Sequence, residues 1–376
     1  MRSSQYKRLG DYIEPHCEKN VGLTVNLSQG INNNKYFQNP RQVAQNSEND
    51  QIVRKGQFAF NKATTRNGDK ISIAYRDGED CTVSSAYQVF SIKDEEKLNP
   101  YYLLLWFKRP EFDRYARFKS HGSAHEFFTW EEMCNVMLPV PPISEQRRIV
   151  NEYQTVERRI ANNEALIQKL EETAQAIYHH IFVEGIDVEN LPEGWRITDI
   201  AHFCTETKSG GTPNRINKSY WENGNIPWLK SGEVQNTFIF TTEENITQDG
   251  LNCSSAKLLP KNTVVMAMYG ATASQVGYLQ VETTTNQACC NMICDSELKS
   301  FYLYFYLKSL QSDIKKLANG GAQENLSQEL IISQKIITAP EDVYKPFLII
   351  GRHISNLSKE THHLRTLLTL LTSKLS

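Results

Sequence analysis

Residues 141–182 read PPISEQRRIVNEYQTVERRIANNEALIQKLEETAQAIYHHIF, and after the paired prolines no proline or glycine interrupts the run. Apolar side chains recur at alternating steps of four and three: Ile149, Tyr153, Val156 and Ile160, then Ile167, Leu170, Ala174, Ile177 and Ile181. That spacing is a heptad seam, and Asn163 is its one polar interruption. At 1.5 Å per residue the helix is about 55–60 Å long. A helix of this length gains its stability by burying the stripe, so a second helix is expected elsewhere in the chain.

The bulk composition leaves room for that partner. A chain of 376 residues holds about two to three domains, each large enough for its own core. Hydrophobic residues at 40% and charged residues at 22% are ordinary for a globular protein. The start is polar, with no apolar core of signal-peptide length, and residues 101–106 and 347–350 are too short to span a bilayer. A cytoplasmic location is expected. Eight cysteines are scattered, none as Cys-x-x-Cys, and Cys290 and Cys294 have no histidine pair at zinc-finger spacing. Reduced thiols and no metal are the expectation. A net charge of −2 argues against a protein that coats nucleic acid indiscriminately, while leaving room for local basic patches.

Laid on itself at an offset near 200, the chain shows an ordered internal repeat. Residues 82–90 lie over 284–292, residues 101–106 over 301–306, residues 121–126 over 320–324, and Pro141 over Pro340. After Pro346 a second heptad follows: Phe347, Ile350, Ile354, Leu357, Thr361, Leu364, Leu368, Leu371 and Leu375. A shift of 201 lays Ile149 on Ile350, Tyr153 on Ile354, Val156 on Leu357 and Asn163 on Leu364. Two long helices each follow a globular unit, and packing them together, antiparallel, buries both stripes. Asn163 then either fixes their register at some cost in stability or sits at a partly exposed position.

The globular units read as β-rich with some helix. In the first, residues 52–60, 71–75 and 86–92 are strand-like, Asn67-Gly68-Asp69 and Asp77-Gly78 are turn signals, and Asn99-Pro100 opens a helix through about Lys119. In the second, residues 264–269 and 277–281 are strand-like and residues 297–317 helical. The fold class is α+β: two similar β-rich domains (residues 1–140 and 184–340), a central helix (141–183) and a C-terminal helix (341–376) forming an antiparallel coiled coil.

Several local stretches carry a family likeness: Leu191-Pro-Glu-Gly-Trp195, Ile226-Pro-Trp-Leu-Lys-Ser-Gly-Glu-Val234, Met268-Tyr-Gly-Ala-Thr272, Thr285-Asn-Gln-Ala-Cys289 and Pro141-Pro-Ile-Ser-Glu-Gln146. In this order they make the whole chain resemble the specificity subunit of type I restriction–modification systems. The first unit looks like the same fold with another recognition sequence, from Lys55-Gly-Gln-Phe-Ala-Phe60 through Val83-Ser-Ser-Ala-Tyr87. The resemblance implies a non-catalytic chain whose two target-recognition domains each read part of a split double-stranded DNA target. It implies helices that space the half-sites and dock two modification subunits, which bind S-adenosylmethionine and methylate adenine. Motor–nuclease restriction subunits, with ATP and Mg2+, complete the complex. No cofactor is expected on this chain.

The residues suit such a reader, which needs phosphate contacts for affinity and base-edge contacts for specificity. Between Gln51 and Arg76 stand Arg54, Lys55, Lys62, Arg66, Lys70 and Arg76 against one acid, Asp69. Asn61, Thr65 and Asn67 are interleaved with them, and arginine and asparagine can pair with guanine and adenine edges through two hydrogen bonds. A solvated face is the plainer reading of the same charges. The second unit offers Lys208, Thr212, Arg215, Lys218, Lys230, Ser231, Tyr269 and Thr272, several beside glycines that would let a backbone approach DNA closely. Gly210-Gly211 is equally a simple turn, and the phosphate-loop motif is absent.

Asn99-Pro-Tyr-Tyr102 resembles the catalytic tetrad of adenine methyltransferases without its second proline, and Asn99 also suits a helix N-cap followed by Pro100. Histidines and paired carboxylates form no catalytic constellation by spacing. The alternatives are a methyltransferase with its own recognition domain, and a coiled-coil scaffold that binds no DNA.

Overall fold

The computed structural model describes residues 6–40, 47–63, 70–120, 127–318 and 326–375. The turn expected at residues 67–69 and the repeat segments at 121–126 and 320–324 lie outside them. The chain forms two compact units: residues 1–160 with 364–376, and residues 161–363. Among the described residues no helix is long and apolar enough to cross a membrane.

The first unit begins with β1 (Tyr6–Arg8), which pairs antiparallel with β10 (Met137–Pro139). Its main sheet has four strands in the order β2 (Ile13–His16), β9 (Tyr87–Ile92), β6 (Phe58–Asn61), β7 (Ile73–Tyr75). Two small sheets flank it, β3 (Gly30–Ile31) with β4 (Phe37–Gln38), and β5 (Gln51–Val53) with β8 (Cys81–Val83). The strand expected over residues 52–60 is therefore two strands, divided at Gly56, whose φ of 93° belongs to a turn that favours glycine.

The single helix expected from Pro100 is also divided. α1 (Pro100–Phe107) stops before Pro110, and α2 (Pro110–Lys119) starts there, because proline disfavours helical backbone in the residue before it. The short α3 (Trp130–Cys134) follows, capped by Thr129. α4 (Ile143–His179) and a π-helical turn over His180–Glu184 realise the long heptad run. The first part of α4 belongs to this unit, where Ile149, Val150 and Tyr153 pack with Leu368, Leu371 and Leu375 against Leu105, Trp106 and Phe107.

The second unit repeats the frame. β11 (Arg196–Asp199) pairs antiparallel with β20 (Lys335–Thr338); α5 (Ile200–Phe203) directly follows the first of these strands and α8 (Gln328–Ile332) precedes the second. The main sheet has five strands in the order β12 (Glu206–Ser209), β19 (Cys289–Ile293), β16 (Val264–Ala267), β17 (Val276–Leu279), β14 (Phe238–Ile239). A second sheet orders β15 (Glu244–Ile246), β13 (Ile226–Leu229), β18 (Thr284–Thr285), with the short α6 (Gln248–Asn252) beside it.

α7 (Glu297–Ala318) buries Phe301, Tyr302, Tyr304, Phe305 and Tyr306. The last helix, α9 (Glu341–Ser373), starts at Glu341 and carries Pro346 in its first turns. Buried Tyr344 anchors this first turn, its hydroxyl oxygen accepting from the Ala339 amide at 2.7 Å. In this unit the later part of α4 packs antiparallel on α9: Asn163 meets Thr361, while Phe182 meets Phe347.

Asn163 is buried, and its Nδ2 donates to Glu360 Oε2 at 3.1 Å and to Thr361 Oγ1 at 3.3 Å. Ile350 and Ile354 are buried beside partly buried Ile167 and Leu170. Val156, Leu357 and Leu364 are half-buried, and Ile160 is 9% exposed.

Candidate DNA interface

In the second unit the quoted motifs converge, and most of their residues hold one another. Trp228 is buried, and its Nε1 donates to the Gly211 carbonyl at 2.9 Å. The Gly211 amide donates to the Thr285 carbonyl at 2.8 Å, and the Asn286 amide to the Leu229 carbonyl at 2.9 Å. A Cβ on Gly210 would overlap the backbone oxygens of Thr285 and Asn286, and one on Gly211 would overlap Ser255 and Ala256. These glycines allow two parts of the protein to approach each other, so the expectation that they admit a DNA backbone is not what their surroundings show. Thr272 Oγ1 donates to the Ser231 carbonyl at 2.8 Å, and Thr212 Oγ1 donates to Gln287 Oε1. Tyr269 leads into the same turn and is 41% exposed.

The cations of this face are held by carboxylates. Arg215 pairs with Glu244 at 2.6 Å, and its guanidinium carbon lies 3.7 Å from the Trp221 ring centroid and 4.6 Å from that of Trp228. Lys230 meets Glu243 at 2.5 Å and Glu244 at 3.7 Å, and its hydrogen bond to Glu243 raises its pKa. Glu233 fixes this corner by accepting from the backbone amides of Lys230 at 3.0 Å and Glu243 at 2.9 Å. Lys208 pairs with Glu206 at 2.8 Å, and Lys218 stands 3.9 Å from Glu222. Arg215 and Lys230 thus share one acidic partner, Glu244, on a surface where a phosphate could exchange for it.

The first unit is arranged differently. Arg54 donates through Nε to Glu18 at 3.1 Å and through a terminal nitrogen to Asp80 at 2.7 Å. These bonds hold the Glu18 and Asp80 carboxyls below their ordinary range. Lys55 is exposed, its amide donating to Asp80 Oδ1 at 2.9 Å, and Asn61 accepts from the Ala63 amide at 3.0 Å. Lys62 is half-buried. Arg76 is buried, bonded to Gln29 at 2.7 Å and to the Glu79 carbonyl, with its guanidinium over Phe37. Thr65, Arg66 and Asn67 lie outside the described residues. Lys70 is exposed and lines a cavity of about 290 Å3 with Asn33, Lys35, Tyr36 and Lys108. Lys35 is buried against Asp113 at 2.6 Å, and burial lowers its pKa.

Counting charges along residues 51–76 could not reveal these pairings, because Glu18 and Asp80 come from elsewhere in the chain. Glu243 and Glu244 escaped the same way; the only sequence signal was an acidic pair after Thr241-Thr242. Asn99 is a helix cap: its Oδ1 accepts from the amides of Tyr101 at 3.0 Å and Tyr102 at 3.1 Å, with Pro100 in the first helical turn.

A sequence model of the type I restriction modification DNA specificity domain matches this chain twice, over residues 7–172 and 192–343. The chain belongs to that family. Each specificity domain runs from the paired edge strands into the long helix that follows. The specificity subunit of the type I restriction enzyme EcoR124I/EcoR124II from Escherichia coli is 30% identical over 132 residues, covering 34% of this chain and 33% of its own length. The HindI specificity subunit from Haemophilus influenzae is 29% identical over 182 residues, covering 46% of this chain and 39% of its own. The matched stretches therefore span roughly a third of each relative. The crystal structure of a type I restriction–modification S subunit from M. genitalium superposes with a TM-score of 0.62 at 14% identity, covering 100% of this chain and 97% of that one, which shows a shared fold.

Proposed function

We propose that this specificity chain reads a bipartite double-stranded DNA target, one half-site per unit, and directs partner subunits that carry the chemistry. The observation that supports this most is the duplicated specificity domain, each copy leading into a long heptad helix. Arg215, Lys230, Lys218, Tyr269 and Thr272 in the second unit, and Lys55, Lys62, Lys70 and Asn61 in the first, are the candidate DNA contacts. The lysines serve phosphates, while Arg215 and Asn61 can read base edges.

Two modification subunits holding S-adenosylmethionine would methylate adenine in each half-site. Restriction subunits using ATP and Mg2+ would cut unmodified DNA. The paired helices would set the unread gap, with Asn163 fixing their register.

Comparing genomic adenine methylation in the source cell before and after deletion of this gene tests the reading. A motif of two short sequences around an unspecific gap is expected to disappear. Persistence of every methylated motif would contradict it. Inserting one heptad after Glu164, with a matching insertion in α9, is expected to change the gap while leaving both half-sites as they were.

A further inference from the structure

In both units, an edge strand of the main sheet runs into a turn that holds an aliphatic side chain out in solvent. β2 pairs with β9 in the first unit and β12 with β19 in the second, so the two edge strands occupy matching places in the repeat. A few residues after them stand Val21 and Ile216. Ile216 is 90% exposed and Val21 67%; among the exposed large hydrophobic side chains of the described residues, only Phe118 lies between them. One such side chain needs no explanation. Two, on matching turns of a repeat whose sheets otherwise differ, do.

Both turns are fixed by an asparagine. In the second unit Asn214 Oδ1 accepts from the Ile216 amide at 3.0 Å, and the Asn214 carbonyl accepts from the Asn217 amide and from Trp221 Nε1, each at 3.2 Å. In the first unit Asn20 is buried. Its Oδ1 accepts from the Val25 amide at 3.0 Å, its Nδ2 donates to the Val25 carbonyl at 2.9 Å, and its carbonyl accepts from the Leu23 amide at 2.9 Å. Gly22, at φ 72°, donates its amide to Glu48 Oε1 at 3.0 Å.

Cations accompany each tip. Arg215 precedes Ile216, and Lys218, with its side chain 84% exposed, stands 3.9 Å from Glu222. Lys19, two residues before Val21, is exposed, its Nζ 3.4 Å from Asn49 Oδ1.

We propose that Ile216 and Val21 are apolar reading residues, each entering a groove of the DNA and packing against bases of the half-site that its unit reads. The inference rests on the DNA-reading function proposed above and adds two residues to its cations and amides. Aliphatic side chains pack on thymine methyls or wedge between base steps, and either contact removes apolar surface from water. Lysines beside the tips hold the phosphates that border the groove. A turn already held by its own hydrogen bonds loses little conformational freedom on contact.

The test uses the full chain in complex with its modification subunit, a duplex carrying the methylated motif, and the variants Ile216→Ala and Val21→Ala. Thermal unfolding checks that each variant is folded. Each is expected to bind the target duplex about tenfold more weakly. Affinity for random duplex and the dependence of affinity on salt should not change, because an apolar contact releases no counterions. Uracil in place of thymine separates the two supporting outcomes: a methyl contact makes it costly for wild type and not for the variant, while a wedge leaves it harmless to both. A variant that binds the target as wild type does overturns the assignment for its unit. Equal weakening on target and random duplex, with a changed salt dependence, overturns it as well. A wild-type complex that prefers no duplex over random DNA overturns the functional reading itself.

Discussion

The two units keep one frame and diverge in what they build on it. In both, a tyrosine from the helix after the main sheet reaches the second edge strand: Tyr102 donates to the Pro139 carbonyl at 3.0 Å, and Tyr302 to the Ile337 carbonyl at 2.7 Å. In both, the residue after the first edge strand turns back to the same place, the Leu9 amide donating to the Val136 carbonyl at 2.8 Å and the Ile200 amide to that of Gln334 at 3.1 Å.

Beyond the frame, one unit has a four-stranded sheet with two small ribbons, and the other a five-stranded sheet with a three-stranded one. The second unit is tied by stacked aromatics, Tyr278 on Phe301 at 4.5 Å and Tyr302 on Tyr344 at 4.4 Å. The first is pinned by the buried Lys35–Asp113 pair, which fastens the loop between β3 and β4 to α2. The frame leads into the long helices in both units. The sheets beyond it carry candidate DNA contacts, and they can differ as two readers of different half-sites would require.

The largest expected effect that separates the units is at this buried pair. Asp113→Ala leaves the Lys35 ammonium without its carboxylate and is expected to cost about 3–5 kcal/mol, the usual penalty for stranding a buried charge. Native-state amide exchange should show the loss in the first unit, with the slowest amides of α7 unchanged. Equal loss in both units would mean that they unfold as one.

The shared frame makes a smaller and symmetric prediction. Tyr102→Phe and Tyr302→Phe each strand one carbonyl and should each cost about 1–2 kcal/mol, read by denaturant unfolding. A large effect at one and none at the other would break the equivalence of the two tyrosines.

The smallest effect concerns acid. Arg54 holds the Glu18 and Asp80 carboxyls below their ordinary range, so the folded unit binds fewer protons than the unfolded chain near pH 4. The stability this provides is present above that range and is lost as pH falls through it. Because the cluster is exposed, the effect is modest. Wild type should melt above Arg54→Gln at neutral pH, and the difference should narrow on acidification below about pH 4. A difference that is constant with pH would show that the pairs contribute no stability.

The helices were legible because a seam of alternating three- and four-residue steps has one physical solution, a stripe buried against another stripe. Asn163 was legible as an anomaly in that seam, but only its bonds to Glu360 and Thr361 show how its burial is satisfied. The division of α1 from α2 was written in Pro110 but masked by the apolar pattern running through it. The candidate site was legible as an inventory of cations and poorly legible as an arrangement. Arg54 with Glu18, Arg215 with Glu244 and Lys35 with Asp113 join residues far apart in the chain, and local charge counts do not report such pairs.

By itself, the sequence determined the repeated plan and the two long helices, because hydrophobic period and helix-breaking residues act locally and leave a readable mark. Tertiary structure alone decided which cations are committed to carboxylates and why Gly210 and Gly211 are glycines. Those outcomes depend on which distant backbones come into contact, and contact across the fold leaves no period in the sequence.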